Sequence, residues 1–287
     1  MQPLRRLPFL LPLLLAACEP GVLHPAGPVA AGEWTILLNS LAIMLAIIVP
    51  TILATLAFAW WFRAGNTRAK YRPDWSYSGQ LELLVWSIPL LAVIFLAGIG
   101  WVGSHQLEPS RPLASRAAPV QVQVVALDWK WVFIYPEQGI ASVNRLVIPA
   151  GRPIAFRITS ATVMNSFFVP RLGSQIYAMS GMDAKLHLQA DKPGRYRGLS
   201  AHYSGAGFAD MAFAADAVTP DQFGRWVAGA RAAGPVLDGP TYQRIAGQEA
   251  TMRVMTFRAV TPGLYDAVVR QAGTATRDTT KHSGREE

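Results

Sequence analysis

The chain of 287 residues has one cysteine, Cys18, and few charged side chains. Because Cys18 precedes every segment with a folding pattern, the folded part contains neither a disulfide nor a thiolate that could bind a metal. Charged residues make up 15% of the chain, whereas about a quarter is usual in soluble domains. A deficit of this size indicates that part of the chain lies in lipid.

The shortage of charged residues is greatest in two stretches. Residues 34–62 and 83–104 contain no Asp, Glu, Lys or Arg. Each is long enough for the roughly 20 apolar residues that cross a hydrocarbon core of about 30 Å. We therefore predict transmembrane helices at 34–62 and 81–104.

The N-terminus has the organisation of a secretory signal peptide. Two arginines precede a nine-residue apolar run at 7–15, and two alanines lie directly before Cys18. The apolar run is too short to span a membrane. The sequence Leu-Ala-Ala-Cys resembles the bacterial lipoprotein box, in which the cysteine is acylated. We predict a signal peptide at 1–17, lipidation of Cys18 and a lipidated periplasmic linker at 18–33; an ordinary signal peptide with an unmodified cysteine is the alternative.

The basic residues indicate topology rather than nucleic-acid binding. The formal net charge is +8, but Lys and Arg are scattered, whereas a phosphate backbone requires a basic stripe. No nucleic-acid partner is expected. The loop 63–80 is different, because it contains four basic residues and only one acidic residue, Asp74. By the positive-inside rule this loop lies in the cytoplasm, so both outer ends of the hairpin, and the large domain, lie in the periplasm beside a bacterial inner membrane.

Short β-like runs begin at residue 120. The segment 120–124 alternates apolar and polar residues, as a half-buried strand does, and Gly- and Pro-containing turns separate it from similar runs. Many short strands with this spacing predict a β-sandwich or barrel, which we place in a domain at 105–218. The other candidate strands are 143–148, 153–159, 166–169, 185–189, 194–200 and 211–215.

The last part of the chain has a helical pattern. Thr219 and Gln222 form a capping box around a proline at the first helical position, and a second helix is predicted from Thr261. We therefore expect a small α-helical extension at 219–273. A polar and disordered tail is expected at 274–287.

Four features together resemble subunit II of haem-copper oxidases over nearly the whole chain. They are the signal peptide, the two-helix hairpin, the segment Asp-Trp-Lys-Trp at 128–131 and the β-sandwich. The stretches Asn-Ser-Phe-Phe-Val-Pro at 165–170 and Leu-Gly-Ser-Gln-Ile-Tyr-Ala-Met at 172–179 are similar to the bo-type ubiquinol oxidase branch. The resemblance implies an external all-β, cupredoxin-like Greek-key sandwich on the membrane α-helical hairpin.

The resemblance also implies a role in a proton-pumping oxidase of aerobic respiration. In the family the haems, the oxygen-reducing copper and the quinol site belong to subunit I, so no cofactor is expected in this chain. Subunit II is then structural. The implied partners are subunit I, further subunits III and IV, membrane lipid, and ubiquinol through the complex.

The positions that bind copper elsewhere in the family have changed. The copper-bearing branch holds a dinuclear centre with a histidine before the Ser-aromatic segment and a Cys-x-x-x-Cys-x-x-x-His-x-x-Met run. The matching positions here are Asn165, Ser200, Ser204, Phe208 and Met211, so only the methionine remains. Serine hydroxyls are far poorer ligands for soft copper than thiolates, and a blue-copper site also needs a cysteine. The resemblance therefore implies no metal site, no electron relay and no cytochrome c partner.

Glu82 is an acidic residue at the start of the second span. It lies in Leu-Glu-Leu-Leu-Val-Trp-Ser-Ile-Pro at 81–89, where the family has an acidic residue at the mouth of a proton channel into subunit I. From the residue alone, a carboxylate among the lipid headgroups is the simpler interpretation. The resemblance implies a role in proton uptake.

Four further residues of the external domain are interpreted as structural. His187 lies between two leucines and is expected on a solvated strand face, and His202 is expected to make a polar loop contact rather than bind a lone metal. Trp129 and Trp131 lie in the segment that carries electrons in the copper branch. They are expected to be packing residues here, because aromatic side chains bury large areas.

Two alternatives stay open. A non-enzymatic lipoprotein, acting as a scaffold or assembly factor with a degenerate cupredoxin domain, has the same overall pattern. A menaquinol oxidase subunit II would share it too, since no quinol contact can be identified in this chain.

Overall fold

The computed structural model describes residues 21–70, 72–247 and 253–271. The predicted signal peptide, Cys18 and the predicted tail at 274–287 lie outside these residues. The chain divides into two compact units. One is a helical unit, Gly32–Glu108, and the other is formed by the described residues on either side of it.

Two long apolar helices contain the stretches without charge. Helix α1 is Pro28–Trp61 and helix α2 is Gly79–Gln106. Both are long and apolar enough to cross a membrane, judged by length and composition. Helix α1 begins six residues before its predicted span and ends one residue before the predicted end, whereas α2 extends two residues beyond its predicted span at each end. With 34 residues, α1 is about 51 Å long, which exceeds a hydrocarbon core of about 30 Å.

The two helices approach closely at Gly103. A Cβ atom at this position would overlap Cδ1 of Ile36 on the facing helix. Small residues allow the backbones of membrane helices to come together in this way. Gly103 therefore permits this close approach, and a larger residue would require the Ile36 side chain to move.

The second unit consists mainly of short strands, with helices near its C-terminus. The strands are β1 (Val120–Leu127), β2 (Lys130–Tyr135), β3 (Ile140–Val143), β4 (Arg145–Pro149), β5 (Ile154–Ser160), β6 (Asn165–Phe168), β7 (Ile176–Ala178), β8 (Ala184–Leu188), β9 (Gly194–Ser200), β10 (Ala212–Val218), β11 (Val236–Leu237), β12 (Met255–Phe257) and β13 (Ala259–Val260). The helices are α3 (Pro220–Ala232), α4 (Gly239–Ala246) and α5 (264–271).

Two sheets form a sandwich, as predicted. One sheet has the order β12-β3-β2-β1-β5-β8 and the other has the order β4-β10-β9-β6-β7. Strand β1 pairs in parallel with β5, and β10 pairs in parallel with β4. The chain therefore crosses between the sheets, although β1, β2 and β3 follow one another as antiparallel neighbours.

The main core lies between the two sheets. The three valines of the segment 120–124 are fully buried, which confirms the alternation seen in the sequence. Strands β1 and β2 also bury residues in a second cluster, to which Leu237, Tyr242 and Tyr265 of the C-terminal segment contribute. All six residues of β2 are buried. Burial on both faces removes the alternation from which strands are predicted, so the sequence pattern does not reveal β2.

The predicted strand at 143–148 is confirmed as β4 from Arg145 onwards, but its start is wrong, because Val143 belongs to β3 in the other sheet. Between β3 and β4, Asn144 has a φ of 55°, a conformation that asparagine tolerates better than most residues. Its side-chain carbonyl accepts a hydrogen bond from the backbone N–H of Trp131 at 2.8 Å. The chain thus passes from one sheet to the other at a single residue.

The C-terminal segment is more mixed than the predicted helical extension. The capping box of Thr219 and Gln222 is confirmed at the start of α3, and the predicted second helix is found as α5, starting three residues after Thr261. Helix α4 was not predicted. Strands β11 and β13 form a small parallel sheet, and β12 joins the edge of the six-stranded sheet. Strands of two or three residues are too short to show a period.

Candidate functional site

Three of the positions that the resemblance matches to copper ligands lie at neighbouring strand ends. Asn165 begins β6, Ser200 ends β9, and Met211 immediately precedes β10. Strand β9 is antiparallel to both β6 and β10, so these ends meet at the same end of the five-stranded sheet. Ser204 lies in the loop between β9 and β10. The sheet therefore brings together residues that are far apart in the sequence.

The side chains of this group interact as two pairs. The Ser200 hydroxyl donates to Oδ1 of Asn165 at 3.1 Å, and the Ser204 hydroxyl lies 3.9 Å from Sδ of Met211. Nδ2 of Asn165 donates to the Val163 carbonyl at 3.1 Å. Asn165, Ser200 and Met211 are buried. We call Asn165, Ser200, Ser204 and Met211 the polar cluster.

Phe208 takes no part in these hydrogen bonds. It is half-buried in a single 3-10 turn, Phe208–Asp210, and its ring makes an edge contact with Tyr203 at 5.7 Å between centroids. Its neighbour is thus an aromatic ring. This position has no atom that could bind a metal.

Trp129 covers the loop that contains Ser204. Its indole N–H donates to the Ser204 carbonyl at 3.2 Å. A Cβ atom at Gly207 would overlap the Trp129 ring, so only glycine fits there. Trp129 itself has a φ of 60°, which is uncommon for a residue of this size. These contacts hold the loop in place beside the polar cluster.

Trp131 packs inside the sandwich. It is fully buried, and its ring contacts Phe167 and Phe213 at 5.4 and 5.7 Å between centroids. Both tryptophans therefore make the packing contacts that were predicted for them.

The two histidines lie in different surroundings. His187 is half-buried, and its backbone N–H donates to the Pro109 carbonyl at 3.0 Å. His187 alternates with the buried Leu186 and Leu188, as predicted, but its face of β8 is partly covered by the segment at Pro109. His202 is half-buried and makes an edge contact with Tyr177 at 6.0 Å. Among the described residues, no group of three or more His, Cys, Asp or Glu side chains is placed to hold a metal ion.

Glu82 lies in the first turn of α2 and is exposed. The indole N–H of Trp86, one turn further along, donates to its Oε2 atom at 3.1 Å. A carboxylate is favoured near a helix N-terminus, where the backbone dipoles leave a partial positive charge. The Trp86 contact therefore orients one carboxylate oxygen at the end of the helix next to the loop 63–80.

Two ion-pair groups were not found from the sequence. Asp216 on β10 accepts hydrogen bonds from Nε of Arg145 and Nε of Arg195, each at 2.8 Å. Burial raises the pKa of the Asp216 carboxyl, but the hydrogen bonds and charges of the two arginines outweigh burial, so its pKa is lowered. The second group joins Arg157 to Asp183 at 2.7 Å and to Asp266 of α5 at 3.0 Å. No local sequence signal reveals such pairs, since the partners lie in different elements.

Comparison with known proteins gives consistent similarities. Residues 137–218 match the family described as cytochrome c oxidase subunit II, periplasmic domain. The chain is 50% identical over 259 residues to ubiquinol oxidase subunit 2 of Acetobacter aceti, covering 90% of this chain and 84% of the relative. It is 46% identical over 263 residues to cytochrome bo(3) ubiquinol oxidase subunit 2 of Pseudomonas putida, covering 92% and 84%.

A more distant relative and one solved structure complete the comparison. Quinol oxidase subunit 2 of Bacillus cereus is 36% identical over 259 residues, covering 88% of this chain and 87% of the relative. The crystal structure of the periplasmic domain of subunit II of cytochrome oxidase from Bradyrhizobium japonicum is 25% identical. It covers 42% of this chain and 98% of that chain, with a TM-score of 0.39.

Proposed function

Because this chain belongs to the family of ubiquinol oxidase subunit 2 proteins, we propose that it is subunit II of a terminal oxidase that oxidises ubiquinol and reduces oxygen to water. Redox catalysis belongs to subunit I, which holds the haems, the oxygen-reducing copper and the quinol site. This chain stabilises subunit I from the membrane and the periplasmic side. Subunits III and IV complete the assembly.

The observation that carries the proposal is the chemistry of the polar cluster. A dinuclear copper centre needs two bridging thiolates and imidazole ligands, whereas the cluster offers an amide, two hydroxyls and one thioether. Soft copper prefers thiolate and imidazole donors. The Ser200 hydroxyl and the Asn165 carbonyl oxygen are already bonded to each other. The residues do not fit a copper pair, so no electron passes through this domain.

The lack of a copper relay determines where electrons enter the complex. A water-soluble donor such as cytochrome c would need a redox centre in the periplasmic domain. A lipid-soluble quinol can deliver its electrons to subunit I inside the membrane. The proposal therefore assigns ubiquinol as the substrate of the complex and excludes cytochrome c as a partner of this chain.

The experiment is purification of the intact complex through this chain, followed by metal analysis and oxygen-uptake measurements. We expect haem and one copper per complex, oxygen uptake with ubiquinol and none with reduced cytochrome c. Faster uptake with menaquinol than with ubiquinol would change the assigned substrate. Two additional copper ions, or oxidation of cytochrome c, would contradict the proposal, and recovery of this chain without a haem-bearing subunit would favour a scaffold or assembly factor.

Glu82 is proposed as the first carboxylate of a proton pathway into subunit I. It stands at the α2 end that faces the basic loop 63–80, which the positive-inside rule assigns to the cytoplasm. A carboxylate there can collect a proton from the aqueous side and release it towards a partner in the membrane. The hydrogen bond from Trp86 keeps Oε2 in one orientation, which supports a directed transfer.

The same topology places the sandwich in the periplasm and the complex in the bacterial inner membrane. Lipidation of Cys18, which lies outside the described residues, would add a second attachment at the outer surface. With two spanning helices present, the lipid positions the N-terminus and is not needed to hold the protein in the membrane.

A further inference from the structure

A cavity lined by basic residues lies on the loop between α1 and α2. Its volume is about 900 Å³, which is near the upper end of the range of about 300–1,000 Å³ for small-molecule sites. Its walls include Trp61 and Trp75, and its described lining residues contain no acid. The basic side chains in its walls are Arg63, Arg68, Lys70 and Arg72.

Local hydrogen bonds hold the loop against the end of α1. Nη1 of Arg63 donates to the Trp60 carbonyl at 2.7 Å, and its guanidinium lies 4.6 Å from the centre of the Trp60 ring. Nδ2 of Asn66 donates to the Trp61 carbonyl at 2.5 Å, and Oδ1 of Asn66 accepts from the backbone N–H of Arg68 at 3.1 Å. These bonds satisfy the last carbonyls of the helix. They also fix the shape of the cavity in the absence of a ligand.

We propose that this cavity binds the headgroup of an anionic phospholipid, with phosphatidylglycerol as its chemical type. The inference rests on the proposed membrane topology. Basic pockets at the cytoplasmic ends of membrane helices suit such headgroups, because each Lys or Arg near the surface adds electrostatic attraction. The four cations, with no acid among the described lining residues, attract the negatively charged phosphodiester and can donate hydrogen bonds to its oxygens.

The cavity favours a lipid over a small inorganic anion because its wall is partly aromatic. Trp61 and Phe62 line it, and 45% of Trp61 and 60% of Phe62 are exposed. Aromatic side chains are enriched at the level of the lipid headgroups. Acyl chains of a bound lipid can therefore continue along the apolar end of α1 while the phosphate stays among the arginines.

The test uses the purified oxidase complex after removal of its lipids with detergent. Native mass spectrometry measures retention of added phosphatidylglycerol and of phosphatidylethanolamine with the same acyl chains. The variant Arg68→Gln/Arg72→Gln removes two cations but none of the side-chain bonds that shape the loop. The matched control, Arg116→Gln/Arg225→Gln, removes two exposed cations of the second unit. Haem content verifies assembly of each complex, and the single variant Arg72→Gln replaces the double variant if that one fails to assemble.

We expect the wild-type complex and the control to retain one more phosphatidylglycerol than the loop variant, whose affinity falls by about tenfold or more. Equal retention in all three complexes, or equal retention of the two lipids by the wild type, would overturn the inference. Displacement of the lipid by inorganic phosphate would also overturn it, since the cavity would then be a small-anion site. These outcomes leave the proposed function intact, because that function is tested separately by haem copurification, copper content and the choice of electron donor.

Discussion

The Ser200 hydroxyl donates a hydrogen bond to Oδ1 of Asn165 at 3.1 Å, across 35 positions of the sequence. The resemblance to the copper-bearing branch implies that these two positions correspond to a thiolate and an imidazole there. The hydroxyl and the amide in this chain are neighbours at one end of the five-stranded sheet and are hydrogen-bonded to each other.

Introducing thiolate and imidazole donors should create copper binding. The variant Asn165→His/Ser200→Cys/Ser204→Cys/Phe208→His, with Met211 retained, is expected to add two copper ions per complex, since positions 165, 200 and 211 already lie at the same end of one sheet. Metal analysis and electron paramagnetic resonance of the purified complex would measure this. The same variant with Ser200 kept lacks one bridging thiolate and serves as control. An unchanged copper content in the full variant would contradict the prediction.

Removal of the Glu82 carboxylate should slow oxygen uptake. Glu82→Gln keeps the shape of the side chain but cannot exchange a proton, so turnover with ubiquinol is expected to fall severalfold while haem content stays normal. Asp74→Asn removes an acid from the neighbouring loop and is expected to leave turnover unchanged. Wild-type turnover in Glu82→Gln would reject the proton-uptake role.

Asp216 should make the stability of the periplasmic domain dependent on pH. Its folded pKa is lowered relative to the ordinary value of about 4. The carboxylate therefore contributes stability that is complete above the unfolded pKa and is lost as the pH falls through the folded pKa. Asp216→Asn is expected to cost about 1–3 kcal/mol at neutral pH and to flatten this dependence.

Thermal unfolding of the Asp216 variant at neutral and acidic pH would measure both effects. Glu137→Gln, an exposed substitution in the turn between β2 and β3, is the control and should follow the wild type. A stability difference between wild type and Asp216→Asn that persists unchanged in acid would contradict the assignment.

Gly207 should tolerate no side chain while Trp129 is present. Gly207→Ala places a Cβ against the indole ring and is expected to destabilise the domain by about 1–3 kcal/mol. In a Trp129→Ala background the same change should cost much less, because the overlapping ring is gone. Gly224→Ala in α3, where a Cβ meets nothing within 4 Å, is the control. Additive costs in the double variant would exclude this contact as the cause.

The mature N-terminus should carry a lipid. Mass spectrometry of the purified chain is expected to find cleavage before Cys18 and diacylglycerol on its sulfur, since Leu-Ala-Ala-Cys matches the lipoprotein box. Cys18→Ser should abolish the modification. An unmodified cysteine in the mature wild-type chain would contradict the prediction.

Several features could be read from the residues alone, because each depends on local composition or on residue identity. The two apolar helices follow from the absence of charge at 34–62 and 83–104. Strand β1 follows from its alternation, and the cap of α3 from Thr219 and Gln222. The serines at 200 and 204, where the resemblance implies cysteine ligands, were identified from a motif alone. None of these inferences requires knowledge of distant contacts.

Other features were decided only by the tertiary structure. Strand β2 shows no alternation because both of its faces are buried, and the break at Asn144 depends on a bond to Trp131 from another strand. The ion pairs of Asp216 join separate strands, and Trp129 meets Gly207 only because the sandwich closes. Local patterns determine which segments become helices or strands, whereas partners far apart in the sequence are chosen by packing, since only the assembled sheets bring those side chains within contact distance.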